Sequence, residues 1–335
     1  MRTGIIGVGN RARSLVRAAQ MAGVLDVTCY HSRDESTART LLPHATGCPD
    51  AESVIEKVDA VIIAAPNSTH ADLAVRALGA GRHVFCEKPL GLDLPELRRV
   101  LTAADRADGI LQVGTELRYA PMVRDITAAV AAAATPARLL WAQEFRGPLR
   151  PGVDGWRLDP ARSGGTLLEK NTHHFDLFAV WAHAASPGAR PVQVHAVAGN
   201  EHARGVADHA VVTVVFDSGA LATLSVSLLE DEERLRVGVL GSGWSVEYDN
   251  RHQSVEMRDA GRVERTAYDV DVRGVNAGGF DHPGEVEQLV AFAERAAGRR
   301  DGEAVSPYWG HLIAYGARES ARTGQSVDLL AMERM

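Results

Sequence analysis

Three groups of residues in this sequence have the types and spacing to do chemistry. The first is Gly7-Val8-Gly9-Asn10-Arg11-Ala12, which sets Gly7, Gly9 and Ala12 in the G-x-G-x-x-A pattern between an apolar run and an amphipathic stretch. Such a turn lets the backbone approach a pyrophosphate, which rests on the unpaired amides of the following helix. The second is Lys88, placed after the apolar run His83-Val84-Phe85-Cys86-Glu87 and before Pro89. Only Lys57, Lys88 and Lys170 of the 36 basic residues are lysines, so a lysine here marks a place where a compact ammonium able to release its proton does what guanidinium cannot. The third is the stretch from Ser163 to Phe178, which opens on Gly164-Gly165 and reads as a helix running into Trp181. At about 100° per residue, Glu169, Thr172, His173 and Asp176 share one polar stripe. Glu169 and Asp176 flank His173 at i,i+4 and i,i+3, where a carboxylate orients an imidazole and raises its basicity, as a general base requires.

The elements that must position these groups follow from periodicity. Residues 1–120 alternate short apolar runs (2–7, 25–31, 59–64, 83–86 and 110–114) with amphipathic stretches, the first helix spanning about 11–22. That pattern predicts an α/β domain of the Rossmann type, a doubly wound parallel sheet, with ligands at the carboxyl ends of its strands. Gly7, Gly9, Asn10, Arg11 and Ala12 would then contact a dinucleotide, joined by Ala65, Pro66, Asn67 and His70 after the third run and by Glu87 and Lys88 after the fourth. Asn67 or Ser68 alternatively caps the next helix. At the end of the second run, where an acid would bond an NAD ribose, stand Ser32 and Arg33. A hydroxyl beside a guanidinium suits a 2′-phosphate, so NADP(H) is predicted over NAD(H); the alternative has Asp34 reaching the ribose and Arg33 as a surface charge.

After residue 190 the pattern changes to period two, with strands at 192–197, 209–216, 219–227, 234–240 and 244–248. A second domain, 121–335, is therefore expected: an α+β unit with a large, mostly antiparallel sheet. With 335 residues and 45% hydrophobic residues, both domains can bury cores. A net charge of −7 and the lack of a basic run exclude a nucleic-acid partner. No apolar run is long enough for a membrane span, and the chain starts in a strand without a signal segment. Together with three scattered cysteines, Cys29, Cys48 and Cys86, this predicts a cytoplasmic protein with reduced thiols. Metal binding is not expected, because His173 and His174, adjacent on a helix, point about 100° apart.

The Glu87-Lys88-Pro89 triplet, downstream of the glycine turn and of Ala65-Pro66-Asn67-Ser68-Thr69-His70, resembles the glucose–fructose oxidoreductase / inositol 2-dehydrogenase family, Gfo/Idh/MocA. Arg118-Tyr119-Ala120-Pro121, Trp156-Arg157, Gly164-Gly165 with His173 and Asp176, and a closing segment from Ser320 to Leu329 extend the likeness through most of the chain. The resemblance implies that Lys88 touches substrate and cofactor ribose and helps move the proton of the reacting oxygen, with an unusual peptide geometry at Pro89. It also implies a homo-oligomer, a dimer or tetramer formed through the exposed sheet face. The family's Asp-x-Gly-x-His-x-x-Asp segment matches at His173 and Asp176, while Glu169 replaces its first aspartate and Asn171 its glycine, so substrate identity is not carried over. The expected activity is hydride transfer between a nicotinamide and a secondary hydroxyl or ketone of a sugar, polyol or cyclitol. Lys88, His173 and Glu169 are the expected catalytic residues; Asp176, Arg118, Tyr119, Trp156, Arg157 and Lys170 are candidate substrate contacts. For Trp156 a place in the core is the alternative; His174 is read as a helix-surface residue, with a catalytic role as its alternative. Two other classes stay open: a non-catalytic dinucleotide sensor, and an enzyme that uses a tightly held nicotinamide for transient oxidation in elimination or glycoside cleavage.

Overall fold

A computed structural model describes residues 1–149, 155–202, 205–268 and 284–334. The chain forms two units, each with its own sheet.

The first unit holds β1 (Arg2–Ile6), β2 (Asp26–His31), β3 (Thr46–Gly47), β4 (Ala60–Ile63), β5 (His83–Glu87) and β6 (Leu111–Gly114). They form one parallel sheet in the order β3-β2-β1-β4-β5-β6, the expected doubly wound topology. β4 is apolar and buried throughout, and β1 is buried beyond Arg2, because helices cover both sheet faces. The helix Asn10–Ala22 follows β1 directly, with Gly9 at its N-cap and Gly23 in the left-handed conformation at its C-terminal end.

The unit is completed by a helix from far along the sequence, Glu285–Ala296, which packs on the helix Asn10–Ala22. The first unit's opening stretch ends at Ala120, and the helix Glu285–Ala296 belongs to this unit and not to the second. Its apolar face supplies Leu289 and Phe292 to the core around Leu15 and Ile62, and Phe292 meets Phe85 edge to face at 5.8 Å. Burying a side chain of that size contributes about 1.5–3 kcal/mol, and truncation of Phe292 to alanine would cost about 3–5 kcal/mol.

The second unit is built on a nine-stranded sheet: β7 (Ala137–Phe145), β8 (Pro191–Gly199), β9 (His209–Phe216), β10 (Leu221–Ser227), β11 (Arg234–Gly241), β12 (Trp244–Asp249), β13 (Ser254–Asp259), β14 (Arg262–Ala267) and β15 (Val327–Asp328). The order is β14-β13-β12-β11-β7-β10-β9-β8-β15. All neighbours are antiparallel except β7 and β10, which run parallel. The central strand β7 was not among the expected strands. One sheet face carries the helices Thr172–Ala185 and Tyr308–Thr323, with Trp181, Phe175, Phe178 and Phe216 fully buried. On β8 and β9, Val197 and Val211 are cross-strand partners and remain 64% and 56% exposed.

The expected single helix from 163 is corrected. The segment forms two helices, Thr166–Glu169 and Thr172–Ala185, with Lys170 and Asn171 between them. Asn171 is the N-cap of the second helix, at φ −92° and ψ −1°, so Glu169 precedes the helix that carries His173 and Asp176. The continuous stripe read from periodicity therefore holds from Thr172 onward.

Candidate active site

In the first unit the glycine turn is built as a ligand cradle. Gly7 has φ +89°, and a Cβ there would lie 2.5 Å from the backbone N and Cα of Ala65, so glycine is required by the fold itself. Gly9 is different: nothing lies within 4 Å of its Cβ position. The helix that follows has no side-chain cap and no acid in its first turn, leaving its amides and the positive end of its dipole open. Ala12 is fully buried, as expected of the third position, where helix meets sheet. A dinucleotide pyrophosphate fits this arrangement.

Asp34 caps the helix Glu35–Leu41, its carboxylate accepting from Thr37 N at 3.0 Å, Ser36 Oγ at 2.9 Å and Thr37 Oγ1 at 2.7 Å. Those bonds, the Thr37 hydroxyl first, hold its carboxyl below the usual range. The side chain proposed alternatively for a ribose is thus engaged with its own helix, while Arg33 is exposed and Ser32 Oγ donates to the Asp34 carbonyl at 3.2 Å.

Asn67 begins a 3-10 turn and is buried, and no side chain caps the helix His70–Gly79, so the capping role considered for Asn67 or Ser68 is not found. His70 is buried with its ring nitrogens 2.7 Å from the Pro89 carbonyl and 2.8 Å from that of Ala65. It braces the turns after β4 and β5, and burial holds its pKa below the ordinary value. Lys88 follows β5, half-buried, and the Lys88–Pro89 peptide is cis.

Arg11, expected among the cofactor contacts, directs its guanidinium to carboxylates. Nε donates to Glu87 at 2.8 Å, Nη2 to Glu116 at 3.3 Å and Nη1 to Glu285. Arg118 and Tyr119, expected to touch substrate, both bond Glu303 within the first unit. Sequence reasoning missed Glu116, Glu285 and Glu303, whose partners lie too far along the chain to form a local pattern.

In the second unit a polar cluster surrounds the helix break. Glu169 is buried and pairs with Arg157 Nε at 3.1 Å, and Arg157 in turn lies over the Trp156 ring at 5.4 Å. Trp156 is half-buried, outside the core assigned to it as an alternative. Asn171, fully buried, donates to Glu144 Oε2 at 3.2 Å, and Arg146 donates to Glu144 Oε1 at 3.2 Å. His174, expected on a helix surface, is buried 3.9 Å from Glu144, whereas His173 is half-buried. Burial works against ionisation of Glu144, but His174 and Arg146 overcome it and hold its carboxyl below the ordinary range. Burial lowers the Lys170 ammonium to about 8, against the pull of Glu169 and Glu144. Asp176 is buried where Gly310 lets the helix Tyr308–Thr323 approach; a Cβ on Gly310 would come within 2.9 Å of the Asp176 backbone. The side chains at 169, 170, 173 and 176 thus offer carboxyl, amine and imidazole groups able to hold or move a proton. Glu144, which accepts from Asn171 between the two helices, lay on the unexpected strand β7.

Among the described residues no helix is long and apolar enough to cross a membrane. Comparison with known proteins gives matches in both units. Residues 1–115 match the oxidoreductase family with an NAD-binding Rossmann fold, and residues 138–247 match the GFO/IDH/MocA C-terminal domain. The chain is 30% identical over 270 residues to UDP-N-acetylglucosamine 3-dehydrogenase of Acidithiobacillus ferrooxidans, covering 78% of this chain and 79% of that one. It is 33% identical over 167 residues to 1,5-anhydro-D-fructose reductase of Ensifer adhaerens, a match spanning 49% of each protein. Among solved structures, an oxidoreductase domain protein from Kribbella flavida has the same fold, with a TM-score of 0.84 at 23% identity over 98% of both chains. With both characteristic domains matched in order and more than three quarters of a relative's length aligned at 30% identity, the chain belongs to the Gfo/Idh/MocA family of oxidoreductases.

Proposed function

We propose that this protein transfers hydride between a nicotinamide dinucleotide, NADP(H) in preference to NAD(H), and a secondary hydroxyl or ketone of a sugar, polyol or cyclitol. The observation that carries the reading is the glycine turn, where Gly7 is demanded by the fold while Gly9 leaves space for a ligand in front of an uncapped helix. The substrate class is supported by the relatives, both of which are named for reactions on sugar derivatives. The NADP(H) preference is supported by exposed Arg33 and by the engagement of Asp34 with its own helix.

The bound nicotinamide supplies the hydride acceptor or donor. The chain's own groups manage the rest: in the oxidative direction, Lys88 or His173 takes the hydroxyl proton as hydride leaves the same carbon, and in the reductive direction returns it. Glu169, engaged with Arg157, and Asp176 set the charge around His173, and Lys170, Trp156 and Arg157 contact the substrate. Arg118 and Tyr119 support the site through Glu303.

Exposed Val197 and Val211 support a homo-oligomer that covers this sheet face, and the three buried free thiols suit the cytoplasm. The test is a screen of polyols and sugars, with nicotinamide absorbance as readout, repeated with Lys88→Ala and His173→Ala. Loss of turnover in both variants, with dinucleotide binding retained in His173→Ala, is expected. Near-full turnover in both would refute the assignment.

A further inference from the structure

One guanidinium and three carboxyls meet at the carboxyl edge of the first unit's sheet, and their charges do not balance. Arg11, the second residue of the helix Asn10–Ala22, pairs with Glu87 at the end of β5, Glu116 in the 3-10 turn Glu116–Tyr119 and Glu285 at the start of the helix Glu285–Ala296. The carboxyl-bearing residues are only 4%, 2% and 1% exposed. Gly114 makes room for this, since a Cβ there would lie 2.8 Å from Glu87 Oε1. Lys88 adds a positive charge beside Glu87, and Arg11 is the cation that pulls on Glu285. Its own helix presents Gln288, Leu289 and Phe292 to the interior, none of them charged.

Two observations single out Glu285. Three negative charges around one guanidinium repel one another strongly in so dry a place, and releasing one of them as a neutral acid relieves most of that repulsion. Glu285 Oε2 is moreover buried with no hydrogen-bond partner among the described residues. An ionised oxygen left without a donor is among the costliest groups to bury, whereas the neutral acid is tolerated. Burial, reinforced by Glu116 and Glu87 against the pull of Arg11, pushes this carboxyl up to about 7.

We propose that Glu285 is an affinity-determining residue that acts in its neutral form, so that dinucleotide binding at the glycine turn is coupled to uptake of a proton by the Arg11–Glu87–Glu116–Glu285 cluster. The coupling rests on the dinucleotide reading above. Arg11 lies in the first turn of the helix whose open amides suit a pyrophosphate, so an anion bound there and an ionised Glu285 disfavour each other. A proton taken from the buffer onto the Glu285 carboxylate removes the conflict; no bond to the ligand changes and nothing is oxidised. By linkage, a single coupled proton limits the loss of affinity to about tenfold per pH unit.

The experiment is calorimetric titration of the full chain with NADPH and with NADH, at pH 6.5 and 8.5, in paired buffers of low and high ionisation enthalpy. The wild type is expected to take up a fraction of a proton per dinucleotide at pH 8.5 and to lose affinity roughly three- to tenfold between the two pH values. Glu285→Gln keeps the neutral shape at every pH, so its affinity should not change with pH and its uptake should vanish. If that variant does not fold, Glu116→Gln serves instead: with one charge fewer in the cluster, uptake moves to lower pH. Binding by the wild type without uptake, or uptake unchanged in these variants, overturns the coupling alone. Binding of neither dinucleotide overturns the reading beneath it, and the coupling with it.

Discussion

Alanine at Gly7 and alanine at Gly9 should fail in different ways, although the two positions belong to one motif. At Gly7 the backbone has φ +89° and the new Cβ would sit 2.5 Å from the N and Cα of Ala65, atoms of the turn after β4 that cannot rotate away. The left-handed conformation costs about 1–2 kcal/mol for an L-residue. The overlap with backbone adds about 1–3 kcal/mol. Together these give a loss of about 2–5 kcal/mol, a large part of the stability of an ordinary domain, and a fall in melting midpoint of roughly 4–20 °C. At Gly9, with φ −114° and ψ −159°, alanine is unstrained and its Cβ has nothing within 4 Å, so the change in stability should stay within about 0.5 kcal/mol. The same methyl would stand where a pyrophosphate approaches, and a tenfold or greater loss of dinucleotide affinity, about 1.4 kcal/mol, is expected. Thermal unfolding without ligand and calorimetric titration with dinucleotide separate the two effects. If Gly9→Ala destabilised the apoprotein as much as Gly7→Ala, or bound dinucleotide as tightly as the wild type, the argument that one glycine serves the fold and the other the ligand would be refuted.

Arg33→Ala is expected to weaken NADPH far more than NADH, and equal losses in parallel titrations would remove the 2′-phosphate role. Asn171→Gly, which restores the family's residue, strips a donor from the buried Glu144 carboxylate and should cost about 1.5–3 kcal/mol in urea unfolding; a neutral effect would show that Glu144 does not depend on it. Lys170 has its pKa lowered to about 8, so its contribution to stability is present above the ordinary lysine value and is lost as pH falls through about 8. Lys170→Met should therefore raise stability at pH 7 by roughly 1–3 kcal/mol while impairing turnover, the gain shrinking toward pH 10. A variant less stable than the wild type at pH 7 contradicts this.

The parallel sheet was legible because each of its longer strands is a short apolar run ending in turn residues, and β1 with its helix carries the glycine spacing as well. β3 was not, since two exposed residues carry no period. β7 alternates from Ala137 to Phe145 but follows directly on an alanine-rich helix, and its parallel pairing with β10 is a tertiary choice that no local pattern records. The return of the helix Glu285–Ala296 to the first unit is of the same kind: its apolar stripe says that it packs, not on what. In the candidate site, Lys88, His173 and Asp176 stood out by residue type and spacing. Their supports did not, because Arg11 finds Glu285 across 274 positions and Arg118 finds Glu303 across 185. The break at Lys170 and Asn171 escaped the periodicity because Asn171, at the N-cap of the second helix, donates to Glu144, a partner on another element.

Titration of the purified, cofactor-stripped protein with NADPH and with NADH tests the central claim most directly, since it needs no knowledge of the substrate. The account predicts saturable binding of both with NADPH the tighter, whereas binding of neither would contradict the claim that this chain is a nicotinamide-dependent oxidoreductase.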